Sequence, residues 1–302
     1  MKLGIIVVYM VKEENEPILT FHLKTIEQYT TVPYTIYGSV NRLLPALRRH
    51  VEKNPKIKTY ELPSPELEGG QEHSYYLEQL IQRALQDGVS HIVTLHVDSF
   101  PVKPGWAEQL AGELSDSCVL VTIARKNFLL QYTACLFFHR DFYLTYKPTF
   151  HLPEEELSSP QYQQFCRKVP HHAGDSGFGY VFKAYSQGLT WKALQKTSLE
   201  IDAHSLRTIR HDFGCIYGDL IFHFEGSFRR PESLGKKWVL AKLNLPPFFH
   251  RLNEILNPML PKKISNYIRK RLVRGSNASY VRREFLKDPE SYLNYLRTGK
   301  KS

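Results

Sequence analysis

The first candidate for chemistry is Asp98, an isolated carboxylate that follows an apolar run at residues 92–95. The run reads IVTL, and its β-branched content predicts a buried strand. Two prolines and a glycine end this strand before a helix predicted at residues 106–114. Open α/β sheets place their ligand sites at the carboxyl ends of such strands, so the position favours a binding role. The alternative is a strand that ends in a turn, in which Asp98 is only a cap.

A second candidate is the glycine pair Gly69 and Gly70, which precedes His73 and a helix predicted at residues 74–86. The N–H groups and the dipole at a helix N-terminus favour a bound anion, so the segment could hold a phosphate. The same two glycines would serve any tight turn, and this alternative stays open.

These residues depend for their positions on a regular alternation of strands and helices. Strands are predicted at residues 3–9, 34–37, 57–62 and 92–95, and helices at residues 16–29, 43–53 and 74–86. Such alternation implies an α/β fold with a mainly parallel sheet that helices cover on both sides. Two more strands are predicted at residues 118–124 and 132–138. Residues 146–170 are rich in Pro, Glu, Gln and Ser, which predicts an irregular surface excursion.

The positive charge of the chain is concentrated at its C-terminal end. Residues 229–302 hold 18 of the 40 Lys and Arg but 5 of the 30 Asp and Glu, so residues 1–228 are mildly acidic. This shift predicts a body at residues 1–228 and a basic, partly amphipathic helical region at residues 229–302. Residues 262–274 combine an apolar helical face with Lys and Arg, which is typical of segments that lie on anionic membranes. The alternative is a helical appendage that packs on the body.

The composition also limits the class of protein. A hydrophobic content of 42% predicts a folded chain, and no apolar run reaches the ~18 residues of a transmembrane helix. The four cysteines form no C-x-x-C pair, which argues against a zinc site and a disulfide scaffold and favours the reducing cytoplasm. The acidic body and the lack of a recognition motif argue against a nucleic-acid partner.

Residues 91–106 resemble the metal-site segment of GT-A glycosyltransferases of the family-2 type. In that segment a hydrophobic strand leads to an Asp-x-Asp element, two residues, a proline, and then Gly-Trp at the start of a helix. Here the element reads His96-Val97-Asp98, so Asp98 stands for the second acid and His96 for the first. Imidazole is an acceptable ligand for Mn²⁺-like ions. The resemblance covers residues 1–228 and implies a GT-A, Rossmann-like fold.

The resemblance also implies an activity, the inverting transfer of a sugar from a nucleotide-sugar donor to an acceptor hydroxyl. A divalent cation, Mn²⁺ or Mg²⁺, held by Asp98 and His223 would neutralise the leaving nucleoside diphosphate. His223 begins a segment, HFEGS, that partly matches a late His-x-x-Gly-x-Ser turn of these enzymes. Asp175, before a predicted helix, would be the general base, although the position also suits an N-cap. The donor site would include Tyr9, Ser39, Asn41, Gly70, His73, His96 and Asp98.

The same resemblance suggests a biological setting, the synthesis of a glycan or a surface polysaccharide. The expected partners are a glycan or lipid-linked acceptor and, through residues 236–274, an anionic membrane surface on its cytoplasmic side. Because His96 replaces the first acid, a catalytically inactive GT-A-like nucleotide-binding module is the main alternative. A nucleic-acid-binding protein is the less favoured one.

Overall fold

The computed structural model describes most of the body and the end of the basic region. The described residues are 1–11, 13–124, 130–169, 176–199, 201–204, 207–209, 214–224 and 274–299. Contacts divide the chain into two compact units, the first made of Met1–Thr197 and Ile216–Phe222, the second of Ser198–Cys215 and His223–Ser302. Residues 228 and 229 lie outside the described residues, so the domain boundary predicted there stays a prediction. Within the described ranges, no helix is long and apolar enough to cross a membrane.

Twelve strands lie within the described residues. They are β1 (Leu3–Val8), β2 (Tyr34–Ser39), β3 (Ile57–Tyr60), β4 (His91–Leu95), β5 (Ser99–Pro101), β6 (Cys118–Ala124), β7 (Leu130–His139), β8 (Thr190–Leu194), β9 (Ile201–His204), β10 (Arg207–Ile209), β11 (Cys215–Tyr217) and β12 (Ile221–His223). Seven of them form one sheet in the order β3-β2-β1-β4-β7-β6-β8. Within this sheet β7 alone runs against the others, so the sheet is mainly parallel, as predicted.

Helices flank this sheet, which confirms the predicted α/β fold. The α-helices of the described residues are α1 (Glu16–Tyr29), α2 (Pro45–Glu52), α3 (Gly70–Gln86), α4 (Trp106–Gly112), α5 (Arg140–Tyr146), α6 (Glu154–Leu157), α7 (Pro160–Lys168), α8 (Phe178–Ser186), α9 (Arg274–Lys287) and α10 (Pro289–Thr298). The last two belong to the second unit, where Asp288 caps α10 by accepting a hydrogen bond from the backbone N–H of Ser291 at 3.0 Å.

The centre of the sheet is set by β1 and β4, whose apolar residues are buried on both faces. Every residue of β1 is buried, as expected of a strand inside a parallel sheet. β1 pairs with β2 on one side and with β4 on the other, with Leu3 opposite both Tyr34 and His91. The chain therefore changes its direction of winding between β1 and β4, and a crevice at the carboxyl ends of two such strands is the usual ligand site of this architecture.

A short strand, β5, was missed by the sequence analysis, which ended the strand at the prolines. β5 follows Asp98 directly and joins a separate three-stranded sheet in the order β11-β12-β5. Pro101 is tolerated because β5 is an edge strand of that sheet, where a missing N–H need not break the ladder. The buried ring of Phe100 stacks on Phe222 of β12 with centroids 5.0 Å apart, which anchors the strand.

The prediction of an irregular excursion at residues 146–170 is wrong. The segment contains α6 and α7, and Phe165 of α7 is fully buried, with its ring 5.3 Å from that of Phe182. Phe150 packs in the same way on Tyr180 at 4.5 Å. A few aromatic residues hold this segment in place. The prediction missed their role because most residues of the segment are polar.

Helix α8 lies directly on the backbone of the segment that precedes α6. The backbone N–H of Gly177 donates to the carbonyl of Phe150 at 3.1 Å. Gly179, the second residue of α8, faces the carbonyl oxygen of Thr149, and a Cβ at this glycine would collide with that oxygen. The close approach of helix and backbone therefore requires glycine at position 179.

A partly buried carboxyl group, Glu78, connects α3 to the segment that α8 contacts. Its side chain accepts hydrogen bonds from the backbone N–H of Phe150 at 3.0 Å and from the Tyr143 hydroxyl at 3.1 Å. Gln82 donates to the same hydroxyl at 2.6 Å. Burial raises the pKa of Glu78 from its ordinary 4.5 to about 7, although both hydrogen bonds act in the opposite direction.

Glu78 is expected to make the stability of the protein depend on pH. Because its pKa is raised on folding, its contribution is fully present below pH 4.5 and is lost as the pH rises through about 7. The loss is at most about 3.5 kcal/mol, since the pKa rises by about 2.5 and one pKa unit corresponds to about 1.4 kcal/mol. Urea denaturation at pH 5 and pH 8 should show Glu78→Gln gaining stability relative to wild type at the higher pH. The exposed Glu68→Gln is the control, and equal pH dependence of all three proteins would contradict the prediction.

Candidate metal centre

The turn that carries His96 and Asp98 joins the two sheets. β4 ends at Leu95, and β5 begins at Ser99. The backbone N–H of Ser99 donates to the His96 carbonyl at 2.9 Å, and the N–H of His96 donates to the Ser99 hydroxyl oxygen at 3.0 Å. The Ser99 hydroxyl also bonds to the carbonyl of Ala134 in β7. These bonds close the turn and fix the directions of the side chains within it.

The structure brings together three of the predicted site residues, His96, Asp98 and His223. Each offers one ligand atom, and the three atoms all lie within 4.8 Å of one another. Asp98 is 8% exposed and His223 is 4% exposed, and Nδ1 of His96 lies 3.8 Å from Oδ1 of Asp98. His223 reaches this position as the last residue of β12, the neighbour of β5 in the small sheet.

The donor atoms fit a divalent cation. Imidazole nitrogen with carboxylate oxygen is a ligand set used for Mn²⁺, Fe²⁺ and similar ions. Ligand atoms on one ion with bonds of about 2.1 Å lie about 3.0–3.4 Å apart, so small side-chain rotations would bring His96 and Asp98 to that spacing. The three residues can therefore hold a metal ion.

Thr133, a residue that the sequence analysis missed, contacts His96 of the three-residue cluster. Its hydroxyl oxygen lies 2.9 Å from Nε2 of His96, and its carbonyl accepts a hydrogen bond from the Thr94 hydroxyl at 3.0 Å. Thr133 is buried in β7, far from His96 in the sequence. Its sequence context offered no signal, because the contact depends on the pairing of β4 with β7.

His73, a predicted donor contact, lies beside the cluster. Its ring meets that of His96 edge to face, with centroids 5.3 Å apart. Burial lowers the pKa of His73 to about 4, and nearby His151 lowers it further. The imidazole of His73 is therefore neutral at physiological pH.

Three other predicted donor residues lie at the carboxyl ends of β1 and β2. The backbone N–H of Tyr9 donates to the Ser39 carbonyl at 3.1 Å, and both residues are buried. The side-chain amide of Asn41 donates to the Leu62 carbonyl at 2.6 Å and accepts from its N–H at 3.0 Å. Asn41 therefore has a clear structural role, and the donor contacts of all three residues stay predictions.

Helix α3 begins at Gly70, earlier than predicted, so Gly70 and His73 belong to its first turns. The Gly70 carbonyl lies 3.0 Å from Nε2 of His151 and accepts a hydrogen bond from the Ser176 hydroxyl at 3.3 Å. The same turn carries the buried side chain of Glu72, which pairs with Arg42 at 2.6 Å. Glu72 already complements the helix dipole, and the phosphate role of this N-terminus stays a prediction.

The predicted general base, Asp175, lies outside the described residues, as do residues 236–273 of the predicted membrane segment. The helix predicted after Asp175 is present as α8 and is followed by Gly188 with a positive φ. The roles of Asp175 and of the basic region therefore stay predictions.

Comparison with known proteins gives similar structures but no matching family. No family model and no curated protein matches the chain. One similar structure is the mannosyltransferase PcManGT from Pyrobaculum calidifontis in complex with GDP-Man and Mn²⁺, with a TM-score of 0.40 and 10% identity over 66% of this chain. This chain spans 58% of the length of that protein. Mouse xyloside xylosyltransferase 1 has the same TM-score and identity, over 64% of this chain and 85% of its own. These similar structures include glycosyltransferases.

Proposed function

We propose that this chain is a metal-dependent glycosyltransferase that moves a sugar from a nucleotide-sugar donor to an acceptor hydroxyl with inversion. The observation that carries the proposal is the cluster of His96, Asp98 and His223. It lies where β4 ends beside β1, at the position where α/β sheets bind nucleotides. Residues 91–106, which resemble the metal-site segment of GT-A enzymes, supply two of its three members.

The cluster suits the departure of a nucleoside diphosphate. This leaving group gains negative charge as the bond to the sugar breaks, and a bound divalent cation supplies the positive charge that stabilises it. His96, Asp98 and His223 would hold the cation, and the burial of Asp98 and His223 would limit the access of water to it. A dry, preorganised site strengthens such electrostatic stabilisation.

The remaining predicted residues complete the proposal. The nucleoside would lie over the ends of β1 and β2, near Tyr9, Ser39 and Asn41, with Gly70 and His73 of α3 beside the diphosphate. Asp175 would take the proton from the acceptor hydroxyl as it attacks the anomeric carbon. The acceptor would be a glycan or a lipid-linked sugar, and the basic residues 236–274 would bring the enzyme to an anionic membrane surface.

Donor binding is expected to require both the right nucleotide and a metal ion. Thermal denaturation would be followed with UDP-, GDP-, dTDP- and CMP-sugars, each with Mn²⁺, with Mg²⁺ and with EDTA. A donor at 100 times its Kd stabilises the native state by about 2.7 kcal/mol. The donors that carry one particular base should therefore raise the Tm, and they should do so only when metal is present.

A second measurement separates an enzyme from a binding module. The nucleotide released from the donor identified in this way would be measured with and without candidate acceptors. Release that depends on an acceptor would support transfer, and release without one would show hydrolysis. Metal-dependent binding without any release would favour the inactive nucleotide-binding module, which the replacement of the first acid by His96 makes the main rival. No stabilisation by any donor would contradict the proposal itself.

A further inference from the structure

We infer that His96 is a metal ligand through its Nδ1 atom, that Thr133 holds it in this orientation, and that the resulting ligand set selects Mn²⁺ and Co²⁺ over Mg²⁺. The inference rests on the metal site of the proposed function, but it does not depend on sugar transfer. It concerns the position where the resembled enzymes carry an acid and this chain carries an imidazole.

The two nitrogens of His96 face different partners. Nδ1 faces the carboxylate of Asp98, with 3.8 Å between Nδ1 and Oδ1, whereas Nε2 lies 2.9 Å from the Thr133 hydroxyl oxygen. When Nε2 carries the proton and donates it to that oxygen, Nδ1 carries the lone pair that a metal requires. In that tautomer the Nδ1 lone pair faces Asp98, so the His96 ring is oriented for ligation on the side of the carboxylate.

Metal-binding histidines are usually held in this manner. Their second ring nitrogen bonds to a carboxylate, a carbonyl or another polar group, which fixes the ring and its tautomer. Thr133 meets this need because it is buried, and because its backbone is fixed by the hydrogen bond from Thr94. The His73 ring, which meets the His96 ring edge to face, limits rotation further. Thr133 is therefore a positioning residue for the metal.

The composition of the ligand set sets the preference for a cation. Two imidazoles and one carboxylate suit Mn²⁺, Fe²⁺ and Co²⁺, whereas Mg²⁺ is bound by oxygen ligands, mostly carboxylates and water. Relative to an Asp-x-Asp element, His96 removes one negative charge and one oxygen donor from the site. Replacing the acid by His96 lowers the affinity for Mg²⁺ more than the affinity for Mn²⁺, so the site prefers Mn²⁺.

The inference is tested by titrating the full chain with metal alone. Calorimetry with Mn²⁺, Co²⁺ and Mg²⁺ gives the three Kd values, and pulsed electron paramagnetic resonance of bound Mn²⁺ detects ¹⁴N ligands directly. We expect Mn²⁺ and Co²⁺ to bind at least about 10-fold more tightly than Mg²⁺. His96→Asp should narrow this ratio by about 10-fold and weaken the nitrogen signal.

Variants of Thr133 test the orientation. Thr133→Val removes the hydroxyl at nearly constant volume and should weaken Mn²⁺ binding by about 10–100-fold. Thr133→Ser keeps the hydroxyl and should bind Mn²⁺ about as tightly as wild type. Thr190→Val, in the exposed part of β8, should leave the affinity for Mn²⁺ unchanged. Circular dichroism shows whether each variant is folded. If the valine variant is unfolded, the Mn²⁺ affinity of the serine variant still tests the role of the hydroxyl.

Each outcome decides the question. Equal affinity for Mn²⁺ and Mg²⁺ in wild type, or a nitrogen signal that His96→Asp leaves intact, would overturn the inference, as would no metal binding at all. Selective binding of Mn²⁺ in a protein that transfers no sugar would support the inference and contradict only the proposed function.

Discussion

Asp98→Asn is expected to abolish metal-dependent stabilisation by the donor and to lower sugar transfer by about 1,000-fold. Asp98 provides the carboxylate of the cluster that would hold the metal, and an amide is a far weaker metal ligand. A catalytic metal contributes several kcal/mol of charge stabilisation in the transition state, and about 4 kcal/mol corresponds to about 1,000-fold in rate. Release of nucleoside diphosphate at saturating metal measures the effect.

The fold should survive this substitution, which separates loss of function from loss of structure. Asp98 is buried, and removing a buried charge at constant volume relieves its desolvation cost in the absence of metal. The lost contacts of the carboxylate offset part of this gain, so the free energy of unfolding in EDTA should stay within about 1 kcal/mol of that of wild type. The exposed Asp116→Asn is the control. Full transfer activity in Asp98→Asn would refute the assigned role.

Gly179→Ala is expected to destabilise the protein by about 3 kcal/mol, the upper range for overpacking. The added methyl group would meet the carbonyl oxygen of Thr149, and a backbone atom cannot move aside as a side chain can. The Tm should fall by about 6–12 °C for a unit of this size. Urea denaturation followed by circular dichroism measures the change.

Gly112→Ala is the matched control for this substitution. Gly112 is the last residue of α4, and a Cβ there meets no heavy atom within 4 Å. Because alanine favours the helix over glycine by up to about 1 kcal/mol, this variant should be as stable as wild type or slightly more so. Equal stability of the two variants would show that α8 can move away from Thr149.

The sequence predicted the fold best where the same apolar residues indicate both burial and strand structure. The apolar runs of β1 and β4 are buried on both faces, so their composition alone marked them as strands. β5 was harder to find because its proline is acceptable only at an edge, and edges are a property of the assembled sheet. In the same way, α7 depends on Phe165, whose partners lie in another helix.

The site was predictable in its parts but not in its assembly. The position of Asp98 at a strand end follows from local pattern, and its pairing with His223 was suggested by resemblance alone, since no spacing rule connects residues so far apart. Thr133 could not be found, because a threonine in an apolar strand is common and only the register of β4 with β7 brings it to His96.

The hydrogen bonds of Ser99 have a thermodynamic consequence for the site. This one residue bonds to both backbone groups of His96 and to the carbonyl of Ala134, the neighbour of Thr133. These hydrogen bonds hold the turn and β7 together, so the backbone of the turn has its shape in the absence of a cation. Little backbone conformational entropy would therefore be lost on binding an ion at this turn, so the affinity of the turn for an ion would be reduced little by the cost of ordering the chain.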